Sequence, residues 1–419
     1  MKILLKAVTI LDKNSKYHGK KQSVLVDKGK IVSIGKAVDA DKVISVKGGI
    51  LTPGWFDMNA LFGDPGFEHR ESLASGVEAA VAGGFTGVAL MPNNAPVTQG
   101  KNQVSYLTSV NTHSIAQVYP VAAVTVDTQG TDLTEMIDLH TAGAVAFSDG
   151  DKPLWHADVF LKALQYLQKF DGLLIDRPED IHLNRFGVMN EGPESTLLGM
   201  KGMPNLAEEI IVRRNLELLE YAGGRLHLTG ISTSRSLDMI KSAKKKGLAV
   251  TCDMTSYQVS YEDTALDDFD TNLKVNPPFR SKKDNASLVK GLREGIIDVI
   301  TSGHRPYDEE SKKLEFDLAE FGITSLQTVA HNLVELSGKV EMEDVMDKIT
   351  RVPRELLGIA PPVIEAGNPA ELTLLDPNRE WTLNTETNRS QSANSPYWGQ
   401  LLKGKVVAVF NHGREYIDA

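Results

Sequence analysis

Eight short apolar segments recur through the middle of the 419-residue chain, and most of the stretches between them have helical periodicity. The strand-like segments are residues 55–59, 85–91, 116–123, 143–148, 172–176, 225–229, 248–254 and 296–302. The clearest helical patterns are 206–221, with a period near 3.6, and 236–246, which ends before Gly247. Eight strands that alternate with helices predict a (β/α)₈ TIM barrel of the α/β class.

An open, doubly wound sheet is the alternative fold for strands that alternate with helices. Such a sheet would place a glycine-rich phosphate-binding loop after its first strand. The loop in this chain is Gly63-Asp64-Pro65-Gly66, which lacks that glycine spacing, and Pro65 has no backbone N–H to donate. The closed barrel is therefore the favoured fold.

Both ends of the chain carry strand-like runs of a different kind. Residues 3–5, 7–10, 23–26 and 30–34 are separated by turn signals, and the triplet Asp27-Lys28-Gly29 is typical of a hairpin. Residues 370–375 and 404–410 repeat the pattern near the other end. We expect the two ends to join into a small β-sandwich domain of residues 1–52 and 360–419, beside a barrel domain of residues 53–359. The segment 382–394, rich in Asn, Thr and Ser, is predicted to be the least structured.

Composition narrows the classes of function. The chain has a net charge of −10 and no basic run, which argues against nucleic-acid binding. A single cysteine, Cys252, excludes an intrachain disulfide and a cysteine-cluster metal site, and we interpret it as a core residue. The first ten residues are interrupted by lysines and do not match a secretory signal, and no apolar run is long enough for a membrane span. We therefore expect a cytoplasmic protein that binds no membrane.

Several stretches of the sequence match one known family. They are Pro53-Gly54-Trp55-Phe56-Asp57, Glu68-His69-Arg70-Glu71, Asn276-Pro277-Pro278-Phe279-Arg280 and Asn394-Ser395-Pro396-Tyr397-Trp398-Gly399. On these motifs the chain resembles the dihydroorotases of the amidohydrolase superfamily from about residue 48 to about residue 413. The resemblance implies an amidohydrolase-type barrel, a zinc site at the carboxyl ends of the strands, hydrolysis of a cyclic amide, and a homo-oligomer, expected to be a dimer.

Most positions that carry the chemistry of that family are replaced in this chain. The resemblance places the metal ligands and the general base at Asn59, Leu61, Asp149, Arg177, Gly230 and Gly303. The family has histidines at 59, 61, 177 and 230 and its catalytic aspartate at 303. Only Asp149 keeps a carboxylate, and a lone carboxylate at a strand end is more often a loop anchor or helix cap. We therefore expect neither zinc nor any other metal cofactor.

A pocket of different chemistry is expected at the same strand ends. The resemblance indicates that its lining residues are Asn93, Arg177, Asn276, His304 and Tyr307. With Arg305 these side chains would line a pocket that tolerates anions, although an asparagine after a proline, as at position 93, is also typical of a turn. His227 is interpreted as a structural histidine with both ring nitrogens satisfied. The paired histidines of the seventh strand are here Tyr257 and Gln258.

Three functions remain open from the sequence. The first is a non-catalytic structural or regulatory partner of aspartate transcarbamoylase in pyrimidine biosynthesis, which the resemblance to metal-deficient dihydroorotase homologues implies. The second is an active dihydroorotase or other cyclic-amide hydrolase with an atypical site built from Asp149, Arg177, His304 and Tyr307. The third is a small-molecule sensor that keeps the pocket. A barrel centre filled by Arg177 would favour the first.

Overall fold

The computed structural model describes residues 1–35 and 39–418. The strands are β1 (Lys2–Ile10), β2 (Lys21–Asp27), β3 (Lys30–Gly35), β4 (Lys42–Ser45), β5 (Ile50–Pro53), β6 (Trp55–Ala60), β7 (Phe85–Leu90), β8 (Gln117–Ala122), β9 (Ala146–Phe147), β10 (Leu173–Asp176), β11 (Met189–Asn190), β12 (Gly202–Met203), β13 (Arg225–Leu228), β14 (Val250–Thr255), β15 (Val299–Thr301), β16 (Leu372–Thr382), β17 (Leu401–Asn411) and β18 (Arg414–Ile417). The α-helices are α1 (Leu73–Gly83), α2 (Lys101–Thr108), α3 (Met136–Ala142), α4 (Ala157–Leu167), α5 (Pro193–Leu197), α6 (Asn205–Ala222), α7 (Ser234–Lys245), α8 (Lys282–Arg293), α9 (Glu309–Lys312), α10 (Val329–Ser337) and α11 (Met342–Leu356).

Parallel strands in the order β6, β7, β8, β9, β10, β13, β14 and β15 form a nearly closed barrel. Each of the eight segments predicted as strands overlaps one of these strands, so the predicted barrel fold is confirmed. The helices predicted at 206–221 and 236–246 correspond to α6 and α7. Because all eight strands run in the same direction, their carboxyl ends meet at one rim, which we call the barrel mouth.

The barrel closes between its first and eighth strands through few backbone contacts. Ala60 pairs with His304 in an isolated parallel bridge, and the Leu61 N–H donates to the His304 carbonyl at 3.0 Å. The buried Asp57 carboxylate accepts the Ser302 N–H at 2.8 Å and also the Ser302 hydroxyl. Burial raises the pKa of Asp57, and the hydrogen bonds from Ser302 oppose that rise. This closure lies next to the barrel mouth and therefore positions the candidate site.

Two apolar layers surround the strands. The barrel interior contains Phe56, Met58, Ala89, Met91, Val121, Ala146, Leu173, Ile175 and Val299. The larger layer, between strands and helices, contains the alternate strand residues, such as Leu226 and Leu228, together with helix residues such as Phe160 and Leu164. This alternation is the period of two that a strand requires. Cys252 is buried in the outer layer, as expected for a core residue.

The strands near the two chain ends form one sheet in the order β18, β17, β16, β5, β1, β2, β3, with β4 paired to β1. The two halves meet where β16 pairs antiparallel with β5, with Leu372 opposite Pro53 and Leu374 opposite Leu51. A separate apolar core draws on both halves and includes Leu5, Val24, Leu51, Leu374 and Phe410. The predicted union of the two ends is therefore confirmed, while the proposed domain boundaries at 52/53 and 359/360 stay a prediction.

The turn signals of the first strands are confirmed. Lys28 and Gly29 connect β2 to β3 with φ values of 47° and 72°, the paired positive φ of a type I′ hairpin. The runs 3–5 and 7–10 form the single strand β1, whose register shifts between Leu5 and Val8, next to Ala7 with φ 55°. An irregularity inside one strand therefore accounts for the apparent break between the two runs.

The prediction that 382–394 is the least structured segment is wrong in one respect. The segment has little regular secondary structure, but its polar groups are bonded to the barrel loops. The Asn394 amide donates to the carbonyls of Arg305 and Gly322, each at 3.0 Å, and accepts the Tyr307 N–H at 3.0 Å. The N–H of Gln391 donates to the buried Glu71 carboxylate at 3.0 Å. The Asn and Ser residues of this segment serve as anchors, which composition alone does not distinguish from a flexible linker.

Among the residues described, we find no helix with both the length and the apolar character that crossing a lipid bilayer requires.

A buried arginine joins the bottom of the barrel to the terminal sheet. Arg354 of α11 is 2% exposed and donates to the Gly54 carbonyl at 2.7 Å, at the start of β6, and to the Thr86 hydroxyl at 2.8 Å. Its Nη2 lies 2.5 Å from Oε1 of Glu371, and its guanidinium lies 5.1 Å from the centre of the Phe56 ring. One side chain therefore connects two barrel strands, a helix and the segment that leads into β16.

Replacing Arg354 with methionine should lower the free energy of unfolding by about 3–5 kcal/mol, because Glu371 and the Gly54 carbonyl would lose their buried partner. Urea denaturation followed by circular dichroism measures the change. Arg351→Met is the matched control on the same helix, since Arg351 forms partly exposed pairs with Asp347 and Glu355, and it should cost less than about 1 kcal/mol. Equal losses in the two variants would contradict the joining role of Arg354.

Candidate functional site at the barrel mouth

The guanidinium of Arg305 lies at the centre of the barrel mouth. Its Nε lies 3.0 Å from each carboxylate oxygen of Asp151, and its Nη2 lies 2.9 Å from Asp151 Oδ1. The same Nη2 donates to Asn59 Oδ1 at 2.6 Å. Burial raises the pKa of Asp151, but the charges of Arg305 and Arg177 outweigh it and hold that pKa below its usual value. The centre of the site is therefore an ion pair built on a permanent cation.

The first strand contributes an amide and an apolar side chain to the mouth. The Asn59 Nδ2 donates to the Thr229 hydroxyl at 2.8 Å, at the end of the sixth strand, while its oxygen accepts from Arg305. Leu61 packs against the apolar interior of the barrel. Asn59 thus connects the first, sixth and eighth strand ends, and neither residue presents a nitrogen lone pair for a metal ion.

Asp149, which occupies the retained ligand position, anchors a loop. Its Oδ1 accepts the N–H groups of Val124 and Thr125 at 3.0 and 2.9 Å, and its Oδ2 accepts the Thr125 hydroxyl. Burial raises the pKa of Asp149 to about 6. Asn93 has a similar role: its Nδ2 donates to the Asp149 carbonyl at 3.0 Å and its Oδ1 accepts the Asp151 N–H at 2.9 Å. Neither side chain lines the small cavity at the centre of the mouth.

Arg177 lies at the edge of the mouth. Its Nη2 donates to the Asp151 carbonyl and lies 2.9 Å from Glu179 Oε2. The same oxygen of Glu179 accepts the Asn276 Nδ2 at 3.0 Å. Arg177 and Asn276 both line the central cavity, but the residue that fills the centre is Arg305.

The sixth strand ends in a glycine and is supported by a buried hydrogen bond between His227 and Asp253. The Gly230 N–H donates to Asp253 Oδ1 at 2.8 Å. His227 lies with its Nε2 3.0 Å from Asp253 Oδ2 and its Nδ1 2.8 Å from the Thr251 hydroxyl, and it is fully buried. Both ring nitrogens have partners, in agreement with the interpretation of His227 as a structural residue.

At the end of the eighth strand, Gly303 leaves no space for a side chain. It has a φ of 63°, and a Cβ placed there would lie 2.6 Å from Thr255 Cγ2 and 2.9 Å from the Tyr257 hydroxyl. The Tyr257 hydroxyl, from the loop after the seventh strand, and the Thr255 side chain therefore occupy the space beside Gly303. Burial raises the pKa of Tyr257 to about 12, so its hydroxyl remains protonated and cannot replace a carboxylate base.

His304 and Tyr307 do not line the central cavity, contrary to the sequence prediction. The His304 Nδ1 accepts the Ser325 N–H at 3.1 Å, and its Nε2 lies 3.6 Å from the Glu71 carboxylate, with both side chains fully buried. The backbone bridge to Ala60 fixes this residue with its ring on the side away from the cavity. Tyr307 lies farther out, against the Arg70 guanidinium at 4.7 Å from the ring centre.

The space inside the mouth is small. The central cavity has a volume of about 30 Å³. Its lining residues are Asn59, Met91, Gly150, Asp151, Arg177, Thr229, Gly230, Thr255, Tyr257, Asn276, Pro277, Gly303 and Arg305. A second cavity of about 610 Å³ lies outside the mouth, where Tyr307, His69, Lys312 and Trp398 form part of its wall. The central cavity has room for a water molecule and is far smaller than the several hundred Å³ typical of a pocket for a metabolite.

Asp151 is the functional residue that the sequence analysis missed. It stands two residues after Asp149, in the run Ser148-Asp149-Gly150-Asp151, and of the two carboxylates only Asp149 matches the family motif. Two features of the sequence point to Asp151: it is a second carboxylate in the loop after the fourth strand, and Arg305, two residues after Gly303, needs a negatively charged partner. A buried arginine requires an anionic partner, and Asp151 provides one.

The groups at the mouth do not fit a zinc ion. Zinc in proteins is held by about four nitrogen, sulfur or carboxylate ligands. Leu61 and Gly230 offer no side-chain donor, and Arg177 and Arg305 bring positive charge to the same space. Within residues 1–35 and 39–418, no three His, Cys, Asp or Glu side chains are grouped so that they could hold a metal ion.

Two buried carboxyls should make the protein more stable as the pH falls from 7 to 5. Burial raises the pKa of Asp149 and of Asp176 to about 6. A carboxyl whose pKa is higher in the folded chain than in the unfolded chain binds its proton more tightly when folded, so this stability is gained below pH 6 and lost as the pH rises. Each should contribute about 1 kcal/mol between pH 7 and pH 5.

Urea unfolding at pH 7, 6 and 5 measures this dependence. Asp149→Asn should remove about half of the rise. Asp158→Asn on α4, where the carboxylate is exposed beside Lys162, is the control for loss of one surface carboxylate. A pH dependence that is the same in Asp149→Asn and in the parent protein would contradict the assignment.

Comparison with known proteins agrees with the motifs and the fold. A family model described as Dihydro-orotase-like matches residues 48–236. A protein named dihydroorotase from Syntrophus aciditrophicus (strain SB) is 38% identical over 422 residues, covering 99% of this chain and 99% of the relative. A protein of the same name from Pelotomaculum thermopropionicum is 38% identical over 420 residues, covering 99% of this chain and 98% of the relative.

Solved structures agree on the architecture. The L-hydantoinase (dihydropyrimidinase) from Arthrobacter aurescens superposes with a TM-score of 0.86 at 20% identity, covering 99% of this chain and 96% of that chain. A D-hydantoinase superposes with a TM-score of 0.83 at 20% identity, covering 100% and 95%. At these sequence identities, the structural similarity shows the fold alone. The relatives found by sequence also show the family, because they are 38% identical over almost the whole length of the chain. This chain belongs to the dihydroorotase family.

Proposed function

We propose that this chain is a non-catalytic member of the dihydroorotase family that serves as a structural or regulatory partner in pyrimidine biosynthesis. The observation that carries the proposal is the position of Arg305, whose guanidinium fills the centre of the barrel mouth between Asp151 and Asn59. The cavity that remains, about 30 Å³, is too small for a cyclic amide substrate. A barrel whose mouth is closed in this way suits a protein that acts by binding a partner with its outer surface.

The loss of a general base supports the same conclusion. Ring closure or opening of a cyclic amide needs a group that accepts a proton close to the reacting carbon. The family position for that base is Gly303, and the Tyr257 hydroxyl and Thr255 methyl lie where a side chain would start. We also propose that no zinc ion is bound, because Arg177 and Arg305 place positive charge where the metal would lie.

The proposed partner is aspartate transcarbamoylase, through the resemblance to metal-deficient dihydroorotase homologues. A barrel that has lost its catalytic groups and keeps 38% identity over almost its full length is consistent with a role that depends on overall shape. We further propose that the protein is a cytoplasmic homo-oligomer.

A catalytic alternative is favoured by one observation, the name dihydroorotase of relatives that are 38% identical. On that alternative the chain would catalyse the interconversion of carbamoyl aspartate and dihydroorotate, or hydrolyse another cyclic amide. The groups proposed for such a site lie apart in this structure: Asp149 bonds Thr125, His304 faces Glu71, and Tyr307 lines the outer cavity. The non-catalytic function therefore has the stronger geometric support.

Protein purified without chelators should contain less than about one zinc ion per ten chains, since the donor set cannot hold zinc tightly. It should also show no dihydroorotate formation from carbamoyl aspartate above the buffer rate, alone or mixed with aspartate transcarbamoylase. Elemental analysis and an absorbance assay for the ring-closed product measure the two quantities. A stoichiometric amount of zinc together with turnover would refute the proposal and establish the catalytic alternative.

Restoring an aspartate at the base position should fail. Gly303→Asp should yield no activity and should lower the free energy of unfolding by about 1–3 kcal/mol more than Gly295→Asp, because only position 303 is crowded. Gly295 is a matched control, with a φ of 69° against 63° and open space around its Cβ position. Urea denaturation of both variants measures the difference. Equal losses would show that the mouth has room for a carboxylate.

A further inference from the structure

The polar groups around Arg305 connect five of the eight strand ends at the barrel mouth. We propose that the Arg305 guanidinium is a built-in cationic crosslink that holds the barrel mouth together, so that the fold needs no bound metal ion at this rim. The inference goes beyond the proposed function, because such a crosslink would hold the mouth in a catalytic or a non-catalytic protein.

The crosslink begins with three strand ends. Arg305 follows the eighth strand, Asn59 lies near the end of the first, and Asp151 lies in the loop after the fourth. The guanidinium reaches both partners at once, with N–O distances of 2.6 Å to Asn59 and 2.9–3.0 Å to Asp151. A third nitrogen donates to the backbone carbonyl of His304 at 2.9 Å, which fixes the orientation of the side chain.

Two further contacts extend the crosslink around the rim. Asn59 donates to Thr229 at the sixth strand end at 2.8 Å. Arg177, after the fifth strand, donates to the Asp151 carbonyl. One connected set of side chains therefore ties the first, fourth, fifth, sixth and eighth strand ends, at the rim where the barrel is closed by few backbone hydrogen bonds.

Burial and shape separate this arrangement from an ordinary surface ion pair. The Arg305 side chain is 12% exposed and that of Asp151 is 36% exposed, so the pair is shielded from solvent on the arginine side. A planar guanidinium can face both oxygens of a carboxylate and a separate amide oxygen, whereas a lysine ammonium supplies the charge without that fork. The charge of Asp151 also favours the charged form of Arg305, whose pKa is raised although burial alone would lower it.

The alternative is that Arg305 only fills space, and chemical rescue distinguishes the two. Arg305→Ala should lower the melting temperature by about 5 °C or more, because it leaves Asp151 and Asn59 without a partner. Guanidinium should bind the vacated site with a dissociation constant of about 20 mM, so addition of about 100 mM guanidinium chloride should then raise the melting temperature by about 1 °C more than the same concentration of urea with equal chloride. Arg213→Ala, which removes an exposed pair with Glu217, should show neither effect.

For the Arg305→Ala variant, two outcomes would overturn the inference. The first is an Arg305→Ala protein as stable as the parent; the second is a loss of stability that guanidinium and urea restore equally, or that neither restores. If Arg305→Ala does not fold, Arg305→Lys and Asp151→Asn replace it, and the double variant should then lose less than the sum of the two single losses. Fully additive losses would also overturn the inference.

The parent protein provides a test that is independent of catalysis. Its melting temperature should not change by more than about 1 °C on addition of excess EDTA or of one equivalent of zinc, since the crosslink is part of the chain. A fall on addition of EDTA would overturn the inference even if no activity were found. Conversely, turnover of a cyclic amide would refute the proposed function but would not contradict the inference that Arg305 is a crosslink.

Discussion

An arginine side chain keeps its positive charge throughout the physiological pH range, so a barrel mouth that encloses one must be arranged around a fixed cation. Arg305 is that cation, and its partners have the geometry that a flat guanidinium requires. The Asp151 carboxylate lies broadside to Nε and Nη2, and the Asn59 oxygen accepts from the same Nη2. The loop that brings Asp151 to this place passes so close to Asn93 that a Cβ at Gly150 would lie 1.8 Å from the asparagine Oδ1.

The substitutions at the other family positions are consistent with this centre. A metal ion needs several lone pairs that converge on one point, whereas a guanidinium needs acceptors spread around its plane. Asparagine at 59 meets the second requirement, because its oxygen accepts from Arg305 while its amide bonds Thr229. Glycine at 303 leaves space that Tyr257 occupies. Each replaced position thus has a defined contact in the present structure, and together they leave a cavity of about 30 Å³.

The barrel could be predicted because strand and helix periods are local properties of the sequence, and the eight apolar runs show them directly. The direction of individual side chains at the strand ends could not. His304 and Arg305 are adjacent, yet the His304 ring faces Glu71 whereas the Arg305 side chain faces Asp151. The backbone bridge between residue 304 and Ala60 determines which of these two side chains points into the mouth. The role of Asp151 depends likewise on the path of its loop, which no periodicity encodes. Motif positions therefore identified which family residues are replaced, but not that Arg305 lies at the centre of the mouth.

Two arginines hold the first barrel strand near its two ends. In the part of the chain that the structure describes, the first and eighth strands meet through one isolated backbone bridge, whereas the other neighbours are joined by parallel pairing. Strand β6 is instead held near both ends by side chains from the C-terminal half of the chain. Arg354 bonds the carbonyl of Gly54 at its start, and Arg305 bonds the amide of Asn59 near its end. Backbone pairing therefore joins the other seven pairs of neighbours, whereas the contact between the first and eighth strands combines one backbone bridge with the side-chain hydrogen bonds Ser302–Asp57 and Arg305–Asn59.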